Sequence, residues 1–149
     1  MKRLLLLLSL FVIGCSDKLE PAPDCGGCGL EVHASNLQMD SDGSYKLEYN
    51  ENLSQTYTML DAITECGWSQ HLQWDTDYKY EIVDGQWVSL VNPGSMTDDN
   101  GDAHVMFSAW EDFIGYTVTV YCGYTDECGV HYLDSIKIKV VDDDRDWET

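Results

Sequence analysis

Basic side chains are scarce in this sequence: eight lysines and arginines stand against 27 aspartates and glutamates, a formal net charge of −19 over 149 residues. A surface this acidic repels nucleic acid and anionic lipid headgroups, and no nucleic-acid partner is expected. Long hydrophobic runs are missing as well. The longest stretch, Leu4 to Gly14, covers eleven residues, well short of the roughly 20 that a membrane-crossing helix needs. Helical patterning is nearly absent, since no long segment keeps apolar residues at i, i+3, i+4 and i+7 between capping residues. None of the motifs G-x-S-x-G, H-E-x-x-H or a phosphate-binding glycine loop occurs, so no catalytic residue is assigned and the chain reads as a non-enzyme. What is present is core-forming material: 44% hydrophobic residues, five tryptophans and nine tyrosines, too much for a disordered chain.

The N-terminus has its own chemistry. Lys2 and Arg3 form a short basic region ahead of Leu4 to Gly14, the layout of an export signal. The last four residues of that segment, Val12-Ile13-Gly14-Cys15, resemble the lipobox of bacterial lipoproteins. The resemblance implies that residues 1–14 are a signal peptide, that Cys15 receives a diacylglyceryl thioether after which cleavage frees its amine, and that the amine is acylated too. One acyl chain holds a protein only marginally, whereas two or more anchor it stably. The resemblance also implies a membrane partner through the lipid and a place in a Gram-negative cell envelope, anchored to the outer membrane on its periplasmic side or at the cell surface. Ser16 to Pro23 is polar with two prolines, so residues 15–29 are read as the lipidated cysteine and a tether. Losing Lys2 and Arg3 with the signal leaves six basic residues against 27 acidic ones, a mature net charge of −21. The remaining length suits one domain.

Five cysteines follow Cys15, and each precedes a glycine: Cys25, Cys28, Cys66, Cys122 and Cys128. Glycine tolerates positive φ, which places these cysteines at turns or strand ends as staples. Disulfides persist in an exported protein, and an odd count leaves one thiol over. The expected pairs are Cys122 with Cys128, closing a hairpin, and Cys28 with Cys66, leaving Cys25 toward the tether. A competing arrangement joins Cys25 to Cys28 and leaves Cys66 free. Two less favoured readings use the same residues. Cys25-x2-Cys28 and Cys122-x5-Cys128 have the form of two zinc knuckles with one spacing too long, and Cys25-Gly26-Gly27-Cys28 has the form of a redox pair that lacks the required strand before it and helix after it.

Strand signals recur along the rest of the chain. Leu30 to Ala34, Tyr45 to Tyr49, His71 to Asp75, Tyr78 to Val83, Trp87 to Val91, Ala103 to Ala109, Tyr116 to Cys122 and Ser135 to Val141 are alternating or β-branched runs. Gln55 to Thr64 is read as a strand in preference to a helical turn. Short strands separated by turn residues such as Asp84-Gly85 predict an all-β sandwich or barrel. Trp74 on a middle strand, then Thr97-Asp98-Asp99-Asn100-Gly101-Asp102-Ala103, then Tyr116-Thr117-Val118-Thr119-Val120 and Ile136-Lys137-Ile138-Lys139-Val140 together resemble bacterial immunoglobulin-like domains. The resemblance implies an immunoglobulin-like β-sandwich of about seven antiparallel strands over residues 30–141, followed by an acidic tail at 142–149. The five cysteines depart from that pattern, and no tyrosine stands two residues before Cys122 as in antibody domains. Trp74 is the tryptophan expected in the core.

Two acidic loops raise a calcium question: Asp40-Ser41-Asp42-Gly43 and Asp98-Asp99-Asn100-Gly101-Asp102. Neither continues into an EF-hand ligand set, and Asx-rich turns form for backbone reasons alone. No metal or cofactor is therefore assigned, with calcium and zinc the two considered. The four histidines, His33, His71, His104 and His131, read as lone strand residues. The expected function is a membrane-anchored envelope lipoprotein acting as a non-enzymatic binding or accessory module through contacts with an envelope protein. The alternatives are a carbohydrate- or calcium-dependent ligand-binding surface lipoprotein and a small thiol-active protein.

Overall fold

Along Gln55–Thr64 every second side chain, from Thr56 through Leu60 to Thr64, is buried and the intervening ones are exposed or half-buried. That period of two is the pleat of a strand with one wet face and excludes a helical turn. The computed structural model describes residues 27–65, 69–78 and 88–142. The signal segment, Cys15, Cys25, most of the tether, Cys66, the stretch from 79 to 87 and the tail from 143 lie outside the described residues.

Ten strands are found among the described residues: β1 (Leu30–His33), β2 (Gln38–Met39), β3 (Tyr45–Glu48), β4 (Gln55–Thr64), β5 (His71–Thr76), β6 (Ser89–Val91), β7 (Gly94–Met96), β8 (Asp102–Trp110), β9 (Thr117–Thr125) and β10 (His131–Val141). They form a four-stranded sheet in the order β1-β4-β8-β6 and a six-stranded sheet in the order β2-β3-β10-β9-β5-β7. The first sheet, together with the β10-β9-β5 centre of the second, reproduces the A-B-E-D and G-F-C layers of an immunoglobulin-like sandwich. The fold class is as the sequence predicts, with two differences. Short strands β2 and β7 line the edges, where two or three residues are too few for alternation to show in the sequence. One pair is parallel, β3 beside β10 with Tyr45 opposite Ile138. The chain crosses from β1 at the edge of one sheet to β2 at the edge of the other, and β3 then runs between β2 and β10, parallel to β10.

The core lies between the sheets. Leu60, Val105 and Phe107 come from one layer and Leu72, Val118, Val120, Ile138 and Val140 from the other, each at most 2% exposed. Trp74 is 2% exposed as expected, and its Nε1 donates to Ser95 Oγ at 2.8 Å, which satisfies the indole N–H. A single 3-10 turn at Glu111–Phe113 drops Phe113 into one end of the core, 5.8 Å from the Tyr78 ring and 5.6 Å from that of Tyr116. At the edge strand β1 the Val32 N–H donates to Asp134 Oδ2 of β10 at 2.7 Å. An inward-pointing carboxylate of one sheet thus pairs a backbone group on the edge of the other. No helix among the described residues is long and apolar enough to cross a membrane.

The structure corrects the cysteine pairing. Cys122 is a free, buried thiol, while Cys28 and Cys128 are disulfide-bonded, so the expected Cys122 to Cys128 bridge does not form. Cys122 stands opposite Trp74 on one side and Asp134 on the other, in the middle of the sheet. Cys128 sits in the turn between β9 and β10, where Gly129 N–H donates to Asp126 O at 3.0 Å. Three strand residues separate Cys122 from the end of β9, about 10 Å of chain, beyond the roughly 7 Å that a disulfide tolerates between Cα atoms. Nor does an inter-sheet bridge replace it, because the inward positions of β4 are threonine, leucine and alanine. Cys25 and Cys66, and with them the Cys28 to Cys66 expectation, lie outside the described residues.

Burial, with a smaller push from the Asp134 carboxylate, raises the Cys122 thiol to about 12, so the reactive thiolate is essentially absent at neutral pH. Iodoacetamide should leave Cys122 unlabelled in the native oxidised protein and label it after denaturation; labelling of the native chain would contradict this assignment. Cys122→Val should keep stability within about 1.5 kcal/mol, as volume-conserving core swaps do. Cys122→Ser should cost about 1–3 kcal/mol through a buried hydroxyl without a partner. Urea unfolding compares the two.

Candidate functional site

The outward face of the four-stranded sheet is built from cross-strand rows fixed by register. Tyr57 of β4 lies opposite Ser108 of β8, which lies opposite Ser89 of β6. The next row is Met59, Met106 and Val91. Then come His33, Asp61 and His104, and beyond them Glu31, Ile63 and Asp102. Tyr57 is 48% exposed, Met59 42%, Val91 42% and Ile63 40%. Single exposed apolar residues are ordinary on protein surfaces, but neighbours in adjoining rows make one contiguous patch, and such patches mark interaction sites. Among the described residues the first two rows carry no carboxylate, ammonium or guanidinium, in a chain whose net charge is −19. The patch is an uncharged window in an acidic surface.

The third row borders this window with polar chemistry. His104 Nδ1 lies 2.7 Å from Asp61 Oδ1, His33 Nε2 lies 3.9 Å from Asp61 Oδ2, and Ser35 Oγ donates to Asp61 Oδ2. Desolvation works to raise the Asp61 carboxyl, but hydrogen bonds from Ser35 and His104 and the charge of both imidazoles outweigh it and hold it below the ordinary carboxylate range. Serine, histidine and aspartate are the residue types of a hydrolytic triad, yet their connection here is different. A triad places the imidazole between hydroxyl and carboxylate so that it can take the hydroxyl proton. Here the carboxylate stands in the middle, and neither imidazole is bonded to Ser35. The row orients histidines; it does not activate a nucleophile.

The acidic loops use their carboxylates on their own backbone. Asp40 accepts from Ser41 N–H at 2.7 Å and pairs with Lys46 at 3.2 Å, and Asp42 accepts from Ser44 N–H and Oγ. Asp98 accepts from the N–H groups of Asn100 and Asp102, each at 2.9 Å. Asp126 does the same for Cys128 and Val130, a third such turn. These bonds lower the carboxyls of Asp40, through Ser41 first, of Asp42, through Ser44, and of Asp98, through Asp102. Among the described residues no group of three or more histidine, cysteine, aspartate or glutamate side chains is arranged to hold a metal ion. Cys122 is directed into the core while Cys128 is disulfide-bonded in a turn, so these two do not form one knuckle; Cys25 of the other knuckle lies outside the described residues.

In the sequence His33 and His104 stand singly on strands, and nothing local marks Asp61. They are 28 and 43 residues from Asp61 in the chain, so no local motif could have found them; only the pairing of β1, β4 and β8 makes them neighbours. Cys15 and the partner position Cys66 lie outside the described residues.

The Asp61 carboxylate is favoured in the folded state. Its contribution to stability is therefore complete above its unfolded pKa near 3.8 and fades as pH falls through the lower folded value. Asp61→Asn should flatten part of this acid limb and cost about 1 kcal/mol at neutral pH, the scale of a lost hydrogen bond to a charged group near the surface. Urea melts at about pH 3 and about pH 6 measure both. An acid limb unchanged in the variant would contradict the assignment.

No family model and no curated protein sequence matches this chain. Among solved structures it is similar to the crystal structure of the periplasmic chaperone SfaE, with a TM-score of 0.45 and 10% sequence identity over 78% of this chain. The match spans 57% of the chaperone's own length.

Proposed function

We propose that this protein is a lipid-anchored, non-enzymatic binding module of the bacterial envelope that receives a protein partner on the outer face of its four-stranded sheet. The observation that carries this reading is the uncharged patch of Tyr57, Met59, Met106 and Val91 on a molecule with 27 acidic residues. Covering such a patch releases apolar area from water, whereas the acidic surroundings repel any partner that is itself strongly acidic. The fitting partner therefore presents apolar side chains with neutral or basic ones around them. The sequence of Lys2 and Arg3, the short apolar segment and Val12 to Cys15 supports the anchor. Two features speak against thiol chemistry at Cys122: its burial and its raised pKa.

A photo-crosslinking residue at Met59 in the membrane-associated chain should give a discrete adduct that Val91→Asp abolishes without lowering the melting temperature. The same group at Thr119, on the other sheet, should give none. Equal adducts at the two positions would refute the docking face. The anchor has a separate test in Cys15→Ser, which should release the chain from the membrane fraction. The unsubstituted protein should have the intact mass of a chain beginning at an acylated Cys15, and an unmodified chain beginning elsewhere would defeat this part of the reading.

A further inference from the structure

The opposite face of the molecule carries a different surface. We propose that a trough running across β10, β9 and β5 on the outer face of the six-stranded sheet binds a neutral oligosaccharide, independently of the apolar face. The depression holds about 730 Å³ and is bounded by residues of these three strands alone. Register explains its shape. One outward row runs Leu133, Gly123, Gln73, Gly94 across β10, β9, β5 and β7, so glycine stands at two of its four places. The row on one side contains Ser135, Tyr121 and Asp75, and the row on the other contains His131, Thr125, His71 and Met96. Three strand spacings give the row a length of about 14 Å. The floor cannot be filled by a side chain at position 123, because a Cβ there would stand 2.9 Å from the Tyr132 carbonyl oxygen.

The lining selects the ligand class by exclusion and by fit. Among the described residues no lysine or arginine borders the trough and Asp75 is its one carboxylate, and the chain carries −19 overall. Phosphorylated and acidic ligands are repelled. A peptide that adds as a strand needs an open sheet edge, but β9 and β5 are each paired on both sides. A purely apolar ligand would strip water from an amide, a hydroxyl and two imidazoles without replacing their hydrogen bonds, which is costly. A neutral saccharide meets both halves of the lining. Its C–H faces can lie on the Tyr121 ring, 37% exposed, and on Leu133, 74% exposed. Its hydroxyls, which donate and accept, match Gln73, Thr125 and the histidines, which do likewise. Two of these groups are already oriented, with Gln73 Nε2 2.8 Å from His71 Nδ1 and Thr125 Oγ1 2.7 Å from His131 Nδ1.

Calorimetric titration of the full chain with chitotetraose, maltotetraose and cellotetraose, and with tetralysine for comparison, tests this. At least one neutral tetrasaccharide should bind saturably. Tyr121→Ala and Gln73→Ala, both on the exposed face, should each weaken that binding about tenfold, the scale of one lost stacking or hydrogen-bonding contact, with unchanged melting temperatures. Met59→Asp, on the apolar face of the other sheet, should leave it unaltered. The proposal is overturned if none of the three sugars binds at millimolar concentration, if binding survives both substitutions, or if tetralysine binds in preference.

Discussion

The strand pleat is the constraint on which everything else in this molecule depends. Successive side chains point to opposite faces, so each cross-strand row is wholly inside or wholly outside, and a residue's neighbours are chosen by register. The inward row of Trp74, Cys122 and Asp134 shows the consequence. Trp74 fills the core and finds Ser95 for its N–H. Cys122 is carried inside with it and meets no second thiol. Asp134, at the margin of the same row, turns its carboxylate to Val32 N–H and links the edge of one sheet to the body of the other. A half-buried carboxylate is favoured by such a partner, and an edge strand with an open N–H invites unwanted pairing. One hydrogen bond serves both.

The outward rows carry a different chemistry on each sheet. On the four-stranded sheet they leave an uncharged apolar window bordered by His33, Asp61 and His104. On the six-stranded sheet they leave a polar trough with a glycine floor. These chemistries suit different occupants: apolar side chains gain from mutual burial, while a hydroxyl-rich ligand gains from directional hydrogen bonds. The two lie on opposite layers, so occupation of one leaves the other open. The acidic charge that surrounds both faces repels polyanions from either.

Much of the fold was legible in the sequence because alternation is a local property. β4, β8, β9 and β10 show their period of two in consecutive residues, and the turn residues around Asn50 and Asn100 mark where strands stop. Trp74 was readable as a core residue because the cores of such sandwiches bury a tryptophan. The candidate site was not. Asp61 lies in a threonine- and methionine-bearing run with nothing to distinguish it, and its histidine partners belong to distant strands.

Composition and local pattern thus determined an acidic all-β sandwich or barrel and the positions of its principal strands, since both are fixed by the order of side chains along a few residues. Register decided the rest. Whether Cys122 meets Cys128 depends on which residue stands across the hairpin, and that residue is Asp134. Whether a histidine is alone depends on which strand is its neighbour, and β1, β4 and β8 place two of them beside one carboxylate. These pairings join residues far apart in the chain, and their energy comes from packing two sheets together. They exist only once the tertiary structure has formed, so no stretch of sequence could display them.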